Sequence, residues 1–156
     1  MPGTTQLNRG ARWLLPLLLV AISLAPAAAR GQQPAPAASD SARLQGTWRL
    51  LEGSADGHGL PPALRDAMRR TLEGNHLRVA AGAEVYLDAT VRFHPATSPA
   101  SIDYHWTTPS GTIQRGIYRW QADTIEFCFA RVGQARPLAF TERGDGRTWT
   151  RWVRVR

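Results

Sequence analysis

The chain has 156 residues, with 19 arginines, no lysine, 12 acidic residues, one cysteine and a formal charge of +7. That length holds one domain rather than two. The missing lysine excludes Schiff-base, P-loop and serine-lysine chemistry, and the lone cysteine excludes an internal disulfide. Hydrophobic residues make up 43%, but many of them crowd the first 30 positions, so the folding unit is shorter than the chain and still long enough to bury a core.

Arg9 and Arg12 precede an apolar stretch from Trp13 to Ala25, which gives way to small residues ending in Ala27-Ala28-Ala29. Charged, apolar, then small is the order of a secretory signal peptide, with cleavage expected after Ala29. About a dozen apolar residues interrupted by Pro16 fall short of the roughly 20 that a membrane helix needs, so no membrane span is expected in the mature chain. No cysteine lies near the cleavage site and the two arginines are not adjacent, which excludes lipoprotein acylation and disfavours a twin-arginine signal. Residues 30–39 are rich in Pro and Ala with little to bury, and read as a flexible tether. The domain is then residues 40–156. Without residues 1–29, seventeen arginines face twelve acids, a formal charge of +5 on a protein expected to be secreted or periplasmic.

Within the domain, alternation with a period of two dominates. From Glu84 to Phe93 the odd positions are Val85, Leu87, Ala89, Val91 and Phe93, and the even ones are polar or aromatic. Such a run is a half-buried strand. The same pattern recurs in Ile102, Tyr104 and Trp106, and again in Ile125, Phe127 and Phe129. Nine strands are predicted, over 47–53, 69–73, 76–80, 84–93, 101–107, 112–120, 124–130, 138–142 and 147–155. Turn residues at Gly74-Asn75, Ala81-Gly82, Pro109-Ser110-Gly111, Gln121-Ala122-Asp123 and Gly144-Asp145-Gly146 separate them, so neighbours should pair as antiparallel hairpins. One short helix is predicted over 61–70, with prolines in its first turn and Leu60, Leu64 and Met68 at four-residue spacing. The fold class expected is all-β, an antiparallel up-and-down barrel of eight or nine strands, which leaves no open edge.

Leu44-Gln45-Gly46-Thr47-Trp48 at the first strand is similar to the Gly-x-Trp entry of lipocalin and calycin barrels. The resemblance implies a tight turn at Gly46, a plug of the closed end by Trp48, and an arginine of the last strand over that ring, carried here to Arg154 with Arg151 and Arg156 as competitors. A cation over an aromatic face contributes about 0.5–2 kcal/mol. Further on, Ser101-Ile102-Asp103, Gly116-Ile117-Tyr118, Asp123-Thr124-Ile125, Cys128-Phe129-Ala130 and Arg136-Pro137 with Phe140 follow in order. Together with the opening motif, over residues 43–156, they resemble a small lipocalin-like domain of secreted proteins in planctomycete-type bacteria. The chain departs from that pattern at His94-Pro95, where an acidic residue is expected before the proline, and in its lack of lysine. The resemblance implies an architecture and carries no activity.

Candidate chemistry is sparse. Cys128 sits in a strand among aromatics with Glu126 two residues away, a setting for packing rather than for a reactive thiolate. Its place opposite the main apolar face implies either a bulge or an outer surface covered by other elements. His58, His76, His94 and His105, with Asp56 and Asp103, show no spacing that sets two metal ligands side by side. Asp103, Asp123 and Glu126 are read as solvated or turn-capping carboxylates rather than an acid-base pair. No cofactor, metal or catalytic residue is predicted. The arginine-aromatic run Arg147 to Arg156 is read as a strand with one solvated face rather than as a nucleic-acid surface.

The reading that remains is an exported, non-enzymatic, monomeric binding module. Leu77, Val79, Val85, Leu87, Val91, Phe93, Tyr104, Trp106, Ile117, Phe127, Phe129 and Phe140 are predicted to face inward. Val85, Leu87, Tyr104, Trp106, Phe127 and Phe129 are the ligand-contacting candidates. Small barrels also fill themselves with such side chains. The alternative is therefore a plugged barrel that meets a cell-envelope protein, as an interaction or inhibitor module, through loops such as 94–100 and 131–137.

Overall fold

A computed structural model describes residues 39–141, 143–144 and 146–156; the expected signal peptide and all of the tether but Ser39 lie outside them. The element order is α1 (Asp40–Leu44), β1 (Gly46–Ala55), β2 (His58–Gly59), α2 (Pro62–Ala67), β3 (Met68–Glu73), β4 (His76–Ala81), β5 (Glu84–His94), β6 (Ser101–Trp106), β7 (Ile113–Gln121), β8 (Thr124–Phe129) and β9 (Thr148–Arg154).

Every long strand pairs antiparallel with the next, and β9 returns to β1 with Trp48 opposite Arg154 and Ala55 opposite Thr148. Eight strands therefore close into an up-and-down barrel, and β2 is a two-residue extra strand on the end of β1. Four hairpins turn in two residues, at Asp56-Gly57, Gly74-Asn75, Gly82-Ala83 and Ala122-Asp123. Their first loop residues have φ of 50°, 61°, 60° and 53°, the left-handed geometry that matches strand twist in such turns. Glycine supplies it freely at two of them, while Asp56 and Ala122 adopt it with a side chain.

The alternation sorts the interior. Trp48, Leu50, Leu72, Leu77, Ala89, Ile102, Tyr104, Tyr118, Ile125, Phe127 and Trp152 pack in one core. Gly116 also faces in, where a Cβ would meet ring carbons of Phe129 at 2.3 and 2.4 Å. The missing side chain lets that ring lie against β7.

Five expectations need correction. The stretch 138–142 forms no strand in its described residues, which are turn and irregular structure; closure of β9 on β1 leaves the barrel no edge for it, and Pro137 lacks the N–H a ladder needs. Ile117 and Phe140 are not inward, because Tyr118 pairs with Phe127 inside and Ile117 pairs with Cys128 outside. They form an outer cluster with Cys128 and Trp149, so Cys128 lies on a covered outer surface rather than in a bulge. The helix ends at Ala67 and Met68 already belongs to β3, since Met68, Arg70 and Leu72 alternate inward. There are two short helices rather than one: Ser39 caps α1, its Oγ accepting from the Ala42 amide at 3.2 Å. Glu126, expected in solvent, is 3% exposed, where Arg119 at 2.7 Å and Arg151 at 3.9 Å face it.

Candidate functional site

The two ends of the barrel differ. The end where β1 begins is filled. Leu44 of α1 is fully buried, and Trp48 donates from Nε1 to the Leu44 carbonyl at 2.9 Å. Asp40 accepts from Tyr118 Oη at 2.6 Å and from Trp120 Nε1 at 2.8 Å. The Trp48 and Trp120 rings lie 5.9 Å apart. Arg43 stacks over Trp120 at 3.7 Å and Arg154 over Trp48 at 4.5 Å. Arg154 also donates to the carbonyls of Gln45 and Arg43. Gly46 has φ of 92°, and a Cβ there would stand 3.2 Å from Arg154 Nη1. Thus Gly46, Trp48 and Arg154 meet at one place, and Arg151 instead pairs with Glu52.

At the opposite end lies a cavity of about 310 Å³. Leu60 and Leu64 approach it from the β2–α2 segment, Met68 and Arg70 from β3, Val79 from β4, and Tyr86 and Leu87 from β5. Tyr104, Trp106, Gln114, Phe129, Thr148, Thr150 and Trp152 complete the lining. Of the residues expected to contact a ligand, Leu87, Tyr104, Trp106 and Phe129 are in this wall. Phe127 is fully buried in the core, and Arg70 stacks on it at 4.0 Å. Val85 is 45% exposed and does not line the cavity. A bulge between the Val79–Leu87 and Ala80–Val85 pairs makes Tyr86 an extra residue, which turns Val85 outward and brings Tyr86 to the mouth.

The polar groups of this wall are few. Gln114 Nε2 donates to the Ala130 carbonyl at 2.9 Å. Arg70 is 2% exposed and donates from Nη1 to Tyr104 Oη at 2.5 Å. Burial pushes the Tyr104 hydroxyl above the ordinary tyrosine range, against the opposing pull of the Arg70 charge. Arg70 escaped the sequence reading because Arg69-Arg70 looks like a solvated charge pair. The signal was present in the alternation of Met68, Arg70 and Leu72.

The other candidates are dispersed. Asp103 joins Arg136 at 2.7 Å and His94 at 3.2 Å, and Arg136 Nη1 donates to the carbonyls of Ile102 and Gly116. Residues distant in the chain therefore meet at one clamp on the outer wall. His76 pairs with Asp88. Among the described residues no three His, Cys, Asp or Glu side chains converge as metal ligands, and no helix is long and apolar enough to cross a membrane.

Fold and site together define a closed eight-strand antiparallel barrel, plugged at one end and hollow toward the other. No family model, curated protein or solved structure matches the chain.

Proposed function

We propose that the protein is an exported, non-enzymatic binding module that holds a small, mostly apolar ligand in the open half of its barrel. The cavity carries this reading: its walls are mainly Leu, Met, Val, Phe and Trp side chains. Its volume of about 310 Å³ sits at the lower end of the roughly 300–1,000 Å³ typical of small-molecule sites. Binding rather than catalysis is favoured by the titrating groups in the wall. A guanidinium is a permanent cation, and the Tyr104 hydroxyl is held above the ordinary tyrosine range by burial and the Tyr86 hydroxyl by its hydrogen bond to Glu84, so none serves as a general base near neutral pH. Export rests on the order of charged, apolar and small residues ahead of Arg30.

The neutral dye N-phenyl-1-naphthylamine tests the cavity without testing charge. Its emission should rise and saturate on titration into the purified protein, and Leu87→Trp, which fills the cavity, should abolish the rise while leaving the circular dichroism unchanged. A flat titration of the unmodified protein, or a rise that Leu87→Trp leaves intact, would overturn the reading and favour a plugged barrel that meets an envelope protein.

A further inference from the structure

Four buried nitrogen donors on the cavity-lining residues have no hydrogen-bond acceptor among the described residues: Nε and Nη2 of Arg70, Nε1 of Trp106 and Nε1 of Trp152. The unmet groups are all donors, and two belong to a permanent cation. The single hydrogen bond from the Arg70 side chain goes to Tyr104 Oη, and its charge otherwise rests on the faces of Phe127 and Tyr104 at 4.0 and 5.5 Å. No carboxylate pairs with it among the described residues.

An unpaired buried charge is costly, and a guanidinium cannot lose its proton to escape that cost. The rest of the barrel shows how this chain handles ionic groups elsewhere. Buried Glu126 has two arginines, the half-buried Arg136 has Asp103 and two carbonyls, and Arg154 has two carbonyls. Arg70 is the most buried of these arginines and has no anion. A neutral acceptor would answer its hydrogen bonds and leave its charge. A carboxylate answers both, and its two oxygens match the guanidinium fork. Tyr104 accepts from Arg70 through its oxygen and keeps its own O–H free to donate.

We propose that the ligand is a carboxylate-bearing amphiphile, its acid head held by Arg70 and Tyr104 and its apolar body lying against Val79, Leu87 and Phe129. The assignment rests on the cavity being a ligand site and adds the chemistry of the ligand's head.

Calorimetric titration of the purified protein with matched pairs, octanoate against 1-octanol and 4-phenylbutyrate against 4-phenyl-1-butanol, tests it. The acid should bind at least about tenfold more tightly than its alcohol, as expected when charged hydrogen bonds contribute about 1.5 kcal/mol or more, and Arg70→Met should erase the preference. Trp106→Phe and Trp152→Phe, which remove one N–H each and keep the ring, should narrow it and serve if Arg70→Met does not fold. Equal affinity of acid and alcohol would overturn the acid head and leave the cavity reading standing. No binding by either member of both pairs would overturn both readings, and a preference unchanged in Arg70→Met would overturn the role of Arg70.

Discussion

The two ends of this barrel are made of the same materials, tryptophans and arginines, yet they are finished differently. At the closed end the ring nitrogens and Arg154 have acceptors: Trp48 finds the Leu44 carbonyl, Trp120 finds Asp40, and Arg154 finds two carbonyls. Toward the open end Trp106, Trp152 and Arg70 keep donors unmet beside an empty volume. Five residues of α1 make most of that difference, because Asp40 and the end of the helix supply the acceptors. An aromatic layer with its polar edges satisfied from within acts as a plug. The same layer with donors left over has capacity for a ligand that brings acceptors.

The sharpest way to break this contrast is to remove the plug. Trp48→Ala should cost about 3–5 kcal/mol, the range for a buried large aromatic, read from urea denaturation. A loss below about 1 kcal/mol would show that the closed end is not held by this ring. Next in size, and opposite in sign, is Arg70→Met, which replaces an unpaired buried cation by an apolar chain of similar length. Such replacements stabilise by roughly 1–4 kcal/mol in favourable cases, so the denaturation midpoint of the ligand-free protein should rise. A fall comparable to that of Trp48→Ala would mean that Arg70 is a structural member of the core and that the two ends do not differ in kind.

The barrel was legible in the sequence because a half-buried strand writes its two faces into alternate residues, and the two-residue turns are marked by Gly74 and Gly82. What alternation cannot show is a change of register. Val85 continues the period set by Leu87 and Ala89, but the bulge at Tyr86 reverses which way it faces. A pattern of alternating hydrophobics also leaves outer and inner faces ambiguous where both are covered. Ile117 and Cys128 lie under Phe140 on the outside, and only the pairing of Tyr118 with Phe127 settles which face is the core. The central group of the candidate site was missed for a different reason. Arginine is rarely buried without a partner, so the place of Arg70 between Met68 and Leu72 does not by itself mark it as an inward group.

Alkaline titration gives the smallest and most local measure of the contrast between the ends. Tyr118 sits at the closed end and Tyr104 at the cavity, and both hydroxyls have their pKa raised above the ordinary value of 10.0. For Tyr118, burial is the main cause and the Asp40 hydrogen bond and charge reinforce it. For Tyr104, burial is opposed by Arg70. Below about pH 10 both groups hold their protons whether the chain is folded or not, so neither makes stability depend on pH. Above it the unfolded chain releases protons that the folded chain keeps, and stability falls as pH rises, by at most about 1.4 kcal/mol per pH unit for each group. Urea midpoints measured between pH 8 and 11 should therefore decline beyond pH 10. Tyr118→Phe should flatten that decline, because burial and the Asp40 hydrogen bond and charge all hold its proton in the same sense. If Tyr118→Phe leaves the decline unchanged, then Asp40 does not hold the Tyr118 proton, and the closed end is not finished by that contact.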